Sequence, residues 1–413
     1  MKIAILGYGK EGKSAEAYFA KHGHETEIFD NFTEADLDEK DFGGYDLILR
    51  SPSVKPRKGF SSVTKYFFDH AKAPTIGVTG TKGKGTTCSL IAAILRALGR
   101  KVYLVGNIGY PAIDVLDDLT PDDIVVYEMS SFQLWDLEKS PKVAVVLRIE
   151  ADHLNVHDGM EDYVNAKSHI ARYQNPEDVL VYFDENERSR AIAGLSRAER
   201  KFAYPEANKS NEMLRLLAAL KIPGDHNKEN AEAALLAVAG FLGTPVETLV
   251  HENFEAISRA FEEFKGLPHH IEFVRELNGV EYYDDSFSAS YPSLEVALRA
   301  FQGRPTVLIA GGKDRGLDLT PIRKAIFEAE NLLKVILIGE TSVKLAENED
   351  AEKYILAETL EEAVKKARTE AETALAENAR PVVLLSPGAA SFDMFKDFYE
   401  RGDRFKEIVK ELK

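Results

Sequence analysis

Three consecutive α/β domains, each built on a mainly parallel sheet, are predicted by three observations. The chain has 413 residues, about three times the common single-domain size. Short apolar runs alternate with helical stretches along its length, the pattern of strand–helix–strand units that lie side by side in parallel sheets. Twice, an apolar run leads directly into a glycine-rich turn and then a helix, a connection that belongs at the carboxyl end of a parallel strand. The predicted boundaries are 1–74, 75–265 and 266–413.

Composition narrows the function classes. At 44% hydrophobic and 29% charged residues the chain is an ordinary globular one, and disorder, collagen-like repeats and disulfide frameworks are excluded. Its net charge of −16 repels polyphosphate backbones, which excludes nonspecific nucleic-acid binding but leaves room for a small phosphate ligand in a local pocket. The single cysteine, Cys88, makes no intramolecular disulfide and anchors no zinc ribbon. The run Met1–Gly7 is too short for a signal-peptide core, and no stretch approaches the roughly 18 uninterrupted apolar residues of a membrane span. A soluble, cytoplasmic chain is expected.

The first domain opens with an apolar strand, Lys2 to Leu6, followed at once by Gly7-Tyr8-Gly9-Lys10-Glu11-Gly12. A helix through Ala20 and a second strand, Glu25 to Phe29, follow and end on Asp30. This is a G-x-G-x-x-G turn in its required context, hence a Rossmann-like domain. Its glycines let the backbone approach a diphosphate at a helix N-terminus, and Asp30 is placed to accept ribose hydroxyls. A tight turn in any doubly wound sheet explains the same residues. The turn alone also suggests a nicotinamide-dependent oxidoreductase, against which the second domain argues.

That second domain begins with the buried-strand pattern Thr75 to Thr79. Gly80-Thr81-Lys82-Gly83-Lys84-Gly85-Thr86-Thr87 follows, then a helix predicted from Cys88 to Leu98. Glycines, a lysine and hydroxyls between strand and helix form a phosphate cradle of P-loop ATPase type, with Lys84 on the β/γ-phosphates. The strict G-x-x-x-x-G-K-[ST] pattern is not met, because Val78 and Gly85 stand at two of its positions. Thr86 is the nearest hydroxyl for a Mg²⁺ ion. Cys88 reads as a small residue on the inner face of that helix.

Further along, Val125-Val126-Tyr127 leads into Glu128-Met129-Ser130-Ser131-Phe132-Gln133. A carboxylate at the end of a parallel strand suits Mg²⁺ on an ATP phosphate; a helix cap by Ser130 or Ser131 is the plain alternative. Val143 to Leu147 similarly leads to Glu150-Ala151-Asp152-His153, metal-competent or simply a hydrogen-bonded loop. Lys167 alone reads as a solvated helix lysine. Asn227 and Asn230 share one side of a helical first turn, where their amides can read a nucleobase edge or cap the helix.

The third domain opens near Gly266 and is predicted Rossmann-like. Its strands are read at Val280–Asp284, Thr306–Ala310, Lys334–Ile338 and Val382–Leu385. Helices are read at Tyr291–Phe301, Pro321–Glu330 and 360–376. The Ala/Glu/Lys-rich run 358–377 is expected to be an exposed helix face.

Together these motifs resemble the Mur ligase family, and within it the glutamate-adding branch, over essentially the whole chain. The resemblance runs through Gly80-Thr81-Lys82-Gly83-Lys84, Glu128-Met129-Ser130-Ser131-Phe132-Gln133-Leu134, Asp152-His153-Leu154, Lys167 and His226-Asn227-x-x-Asn230. It continues through Gly266-Leu267-Pro268-His269, Asp284-Asp285-Ser286, Gly311-Gly312 and Leu385-Ser386-Pro387-Gly388-Ala389-Ala390-Ser391-Phe392-Asp393. It implies an ADP-forming carboxylate–amine ligase that adds D-glutamate to UDP-N-acetylmuramoyl-L-alanine through an acyl phosphate, in peptidoglycan precursor synthesis, as a monomer. ATP and two Mg²⁺ ions would be required. By the same resemblance Lys84 cradles the transferring phosphoryl, Glu128 and Thr86 serve one Mg²⁺, and His153 joins a second. Lys167 matches a lysine carried as a carbamate. Asn230, Asn227 and Asp285 would contact adenine and ribose. Gly9, Lys10, Glu11, Asp30 and Asn31 hold the UDP end, and Asn107 and Ser130 face the muramoyl part. Ser391 and Phe398 match the pocket for the glutamate side chain.

Three departures stand out, two at the amino-acid site and one, His270, at a phosphate contact. Family members commonly read D-S-K-A-T-N where this chain has Asp285-Ser286-Phe287-Ser288-Ala289-Ser290, so Phe287 and Ala289 replace a cation and a hydroxyl. His270 stands where an arginine is frequent. Arg315 or Lys313 is the expected replacement cation, and L-glutamate is the alternative substrate.

Overall fold

The computed structural model describes residues 1–206, 209–347, 352–375 and 379–413. The chain divides into two compact units: Met1–Ala219 with Lys228–Phe261, and Leu220–Asn227 with Glu262–Lys413. The first unit carries two parallel sheets and the second carries one mixed sheet, so the expected series of three mainly parallel α/β sheets is present.

In the first unit the N-terminal sheet has four parallel strands in the spatial order Glu25–Phe29, Lys2–Leu6, Leu47–Arg50, Ser61–Ser62. The second sheet has six, ordered Arg200–Tyr204, Val179–Phe183, Val143–Val146, Thr75–Thr79, Ile124–Glu128, Val102–Gly106, again all parallel. Thr75–Thr79 and both its neighbours are buried along their whole length, as the uninterrupted apolar runs require when helices cover both faces. The order switches sides at Thr75–Thr79, so the carboxyl ends of these three strands open onto one crevice, the usual place for a ligand in such a sheet.

The second unit's sheet runs Glu272–Leu277, Val280–Asp284, Val382–Leu385, Thr306–Gly311, Leu332–Ile338, Tyr354–Leu356, with the first of these antiparallel. Alternate residues of its strands enter opposite cores: Val307, Ile309, Val383 and Leu385 on one face, Leu308, Ala310, Val382 and Leu384 on the other.

Three local readings are corrected. The helix after the phosphate cradle begins at Lys84, not Cys88, and ends at Ala97. The strand Glu272–Leu277 escaped sequence reading because charged residues interrupt its apolar ones and it lies at the sheet edge. The helix expected over 360–376 runs Leu360–Glu372, while Ala376 and Glu377 lie outside the described residues. Among the described residues no single helix is long and apolar enough to cross a membrane. Cys88 is fully buried on the inner face of its helix.

Candidate active site

The centre of the first unit is the turn from Thr79 into the helix Lys84–Ala97. Gly83 caps that helix with φ 84°, and a Cβ there would lie 2.5 Å from the Asn230 Oδ1, so both backbone and space demand glycine. The helix's free amides therefore face a turn without side-chain bulk, the arrangement that binds phosphate. Lys84 folds back on its own loop, donating to the carbonyls of Gly80 (3.1 Å) and Thr81 (2.9 Å). Thr81 ties the loop to the next strand's exit: its hydroxyl donates to the Glu150 carbonyl (3.1 Å) and accepts from the Glu150 amide (2.9 Å). Lys82 is exposed and Gly85 buried. Thr86 is half-buried, and the hydroxyl of Thr87 is buried without a hydrogen-bond partner.

Glu128 and Lys167 close on this loop. Glu128, 7% exposed, ends the strand beside Thr75–Thr79. Burial raises its carboxyl above the ordinary range, against the opposing pull of Lys84, a 3.5 Å bond from Asn107 Nδ2, and Lys167. Lys167 is only 2% exposed, so the solvated-lysine reading is overturned. Its Nζ lies 2.9 Å from the Gly80 carbonyl, 3.4 Å from the Thr79 hydroxyl and 4.7 Å from the centre of the Tyr163 ring. Burial first, and repulsion by Lys84 second, push its ammonium well below the ordinary lysine range, despite attraction from Asp152 and Glu128. Lys84 is lowered in the same way by burial. Two lysines and a carboxylate thus share a buried crevice that favours an arriving anion and a neutral amine.

Next to Glu128 the segment Ser130–Gln133 forms a capping box. The Ser130 hydroxyl accepts from the Gln133 amide (3.2 Å), while Gln133 Oε1 accepts from the Ser130 amide (2.9 Å). The other end of the Gln133 side chain donates to Glu11 Oε1 at 2.6 Å, which joins this segment to the N-terminal glycine turn. Burial raises the Glu11 carboxyl, and its Oε2 has no hydrogen-bond partner. In that turn Gly12 packs so close to the Gly7 carbonyl that no side chain fits, whereas Gly9 faces open space. Asp30 accepts from the Tyr8 amide (3.1 Å), Asn31 follows at φ 56°, and Lys10 donates to the Gly109 carbonyl (3.1 Å). Asn107 is exposed beyond the strand end. His153 is exposed, with φ 54°, its ring edge-on to Phe132 (centroids 5.1 Å) and its Nε2 3.5 Å from Asp152.

Asn230 is buried beside the phosphate loop, and Asn227 donates to the Pro223 carbonyl (2.6 Å), both near the start of the helix Asp225–Leu242.

In the second unit the carboxyl ends of Val280–Asp284, Val382–Leu385 and Thr306–Gly311 converge. Asp285, 6% exposed, accepts from the Ser386 hydroxyl (2.7 Å) and the Ile271 amide (3.2 Å), and burial pushes its carboxyl up to about 8. Lys313 is ion-paired with Glu340 (2.7 Å), and Arg315 is exposed. Ser391 is buried. Phe398 packs edge-on against Phe287 (5.1 Å), whose ring lies tilted against that of His270 (4.0 Å), so the three rings form an aromatic cluster. Although His270 is exposed as a residue, desolvation of its ring, with repulsion from His269 second, lowers the imidazole to about 4. Sequence reading missed Arg401, a buried guanidinium that donates to the Ser286 hydroxyl (2.9 Å) and carbonyl (2.9 Å) and to the Ala389 carbonyl (3.1 Å). It lies on a polar helix, Phe398–Glu411, where nothing in the spacing distinguishes it from a surface residue.

The Mur ligase middle domain matches residues 78–238. The UDP-N-acetylmuramoylalanine–D-glutamate ligase of Clostridium kluyveri is 32% identical over all of this chain and 97% of its own. That of Acetivibrio thermocellus is 33% identical over all of this chain and 96% of its own. The chain belongs to the Mur ligase family. Solved Mur ligases share the fold at lower identity. The D-alanyl-D-alanyl-adding ligase of Acinetobacter baumannii superposes with a TM-score of 0.61 at 16% identity, covering 99% of this chain and 93% of that one. The UDP-N-acetylmuramate–alanine ligase of Thermotoga maritima gives 0.57 at 18%, covering 100% of both. With the family established, the nicotinamide oxidoreductase reading falls. For a Mur ligase the crevice at Lys84 fits the expected cofactors. A buried carboxylate at Glu128, the half-buried hydroxyl of Thr86, half-buried Lys84 and buried Lys167 are chemically suited to a Mg²⁺–nucleotide phosphate.

Proposed function

We propose that this Mur ligase joins D-glutamate to UDP-N-acetylmuramoyl-L-alanine at the expense of ATP. The observation that carries this reading is the buried crevice of Lys84, Glu128 and Lys167, in a chain whose full-length relatives are D-glutamate ligases. The substrate carboxylate takes the γ-phosphoryl of ATP to give an acyl phosphate and ADP. The amine of glutamate then attacks the acyl carbon and phosphate leaves. Such a transfer needs the triphosphate charge neutralised and the oxygens held in line. Lys84 releases its loop carbonyls to reach the transferring phosphoryl. Glu128 and Thr86 would hold one Mg²⁺, and His153 with Lys167 a second, and the ions would offset phosphate charge.

Lys167 serves as its carbamate. The neutral amine adds CO₂ and loses one proton to give a carbamate anion, and the burial that disfavours its ammonium keeps the amine neutral and nucleophilic. Residues 1–74 take the UDP end through Gly9, Lys10, Glu11, Asp30 and Asn31, and residues 75–265 hold ATP. Within that second domain Asn107 and Ser130 face the muramoyl part. Residues 266–413 receive glutamate at Ser391 and Phe398, with Lys313 or Arg315 nearby. Asn227, Asn230 and Asp285 serve adenine and ribose, and the enzyme works as a monomer.

The test is Mg²⁺-dependent phosphate release with ATP and UDP-N-acetylmuramoyl-L-alanine, comparing D- with L-glutamate. Release is expected only with all three substrates and with preference for D-glutamate; equal use of L-glutamate, or release without the amino acid, would overturn the assignment. Lys84→Ala should lower kcat by at least about 10²-fold, the scale of losing one charge-stabilising donor. Lys167→Ala should lose activity and regain part of it with small carboxylates such as formate.

A further inference from the structure

His157 lies outside every motif the sequence singles out, yet it is 3% exposed and bonded at both ring nitrogens. Its Nδ1 donates to Asp162 Oδ2 at 2.8 Å, which leaves Nε2 to accept from the Ser131 hydroxyl at 2.9 Å. Trp135 Nε1 donates to the other Asp162 oxygen at 3.3 Å. Phe132 stacks on the imidazole, with centroids 5.2 Å apart and planes inclined by 11°. Hydrolases use serine, histidine and aspartate in this order to activate a nucleophile. Here Ser131 is only 2% exposed, so no acyl group reaches it.

The chain of bonds leads instead to His153. The backbone amides of Val156 and His157 both donate to the His153 carbonyl, at 3.0 and 3.1 Å, so the buried side chain of His157 anchors the turn that His153 begins. The same Phe132 that stacks on His157 meets the His153 ring edge-on. The approach to the turn, at Glu150, is pinned to Thr81 of the phosphate loop. His153, in a left-handed backbone conformation and with an exposed ring, is thereby held from both sides.

We infer that Asp162, His157 and Ser131 form a positioning chain that fixes His153 toward the metal-bound phosphate. This rests on the proposed reading of His153 as a metal ligand. Hydrogen-bonded partners behind a ligand commonly control affinity by 10–100-fold.

The experiment is an electron paramagnetic resonance titration of the full chain with Mn²⁺, in the presence of a non-hydrolysable ATP analogue. His153→Ala is expected to weaken Mn²⁺ binding, and His157→Ala to weaken it by about 10-fold or more. Ser131→Ala should act in the same direction, and His157→Gln, which keeps an acceptor for Ser131, should restore part of the loss. A merely structural role would lower the melting temperature and leave Mn²⁺ affinity where it was. If His153→Ala weakens Mn²⁺ while folded His157→Ala and Ser131→Ala do not, the positioning chain is overturned and the ligand reading stands. If His153→Ala binds like the wild type, the ligand reading fails and this inference with it. Should His157→Ala not fold, Ser131→Ala decides the matter, since it removes only one buried hydroxyl.

Discussion

At Asp285 a carboxyl is nearly sealed from solvent, and two hydrogen bonds do not offset the cost of ionising it there. Its folded pKa of about 8 stands above the ordinary aspartate value near 4, so between these limits the folded chain holds a proton that the unfolded chain has released. The sign follows from linkage: this group's stabilising contribution is complete below about pH 4 and is lost as pH rises through 8. Asp285→Asn should therefore flatten the fall in stability over that range, by on the order of 1 kcal/mol per pH unit relative to wild type. Thermal unfolding at pH 5, 6.5 and 8 checks it, and parallel curves for the two proteins would refute it. At this scale the sequence made placement readable where residues follow strands, as the positions of Lys84, Glu128 and His153 show. It was unreadable at His157 and Arg401, because burial and a remote partner define them, and neither leaves a trace in local spacing.

The phosphate-loop helix illustrates the element scale. Gly85, Thr86 and Thr87 are weak helix formers, so propensity alone postpones the helix to Cys88. The structure starts it at Lys84 because Gly83 supplies the left-handed cap and Gly85, Thr87 and Cys88 are buried together along the inner face. Gly83→Ala is expected to cost about 1–3 kcal/mol, from strain at φ 84° and from collision with Asn230, and to raise KM for ATP. Gly9→Ala is the matched control: its Cβ meets nothing within 4 Å, so stability should stay within about 0.5 kcal/mol. Urea titrations of both variants separate the two cases; equal losses would mean that glycine at position 83 is not required by geometry. Strand and helix alternation was legible because apolar runs buried on both faces are long and uninterrupted. The edge strand Glu272–Leu277 was not, since only partial burial rewards its pattern.

For the first unit as a whole, one buried side chain joins its two sheets. Arg50, fully buried at the end of the N-terminal sheet's third strand, reaches Asp136 through Nε (2.9 Å) and Nη2 (2.5 Å). It also donates to the carbonyls of Phe132 (3.1 Å) and Val54 (3.0 Å). Arg50→Met removes the cation and leaves Asp136 and two carbonyls without it, so a loss of about 3–5 kcal/mol is expected. Hydrogen exchange should quicken in Lys2–Leu6 and Leu47–Arg50 before it does in Thr75–Thr79. Uniform quickening would show that Arg50 does not join the sheets. The three-sheet plan was visible in length and alternation, whereas this join between sheets was not, since its partners are 86 positions apart. The indole of Trp135 is the only one among 413 residues, and it packs on His157 (4.5 Å) and bonds to Asp162. Intrinsic tryptophan emission from the whole enzyme therefore comes from a single place beside His157. Titrating nucleotide or sugar-nucleotide while watching that emission reads the state of this segment with no label attached.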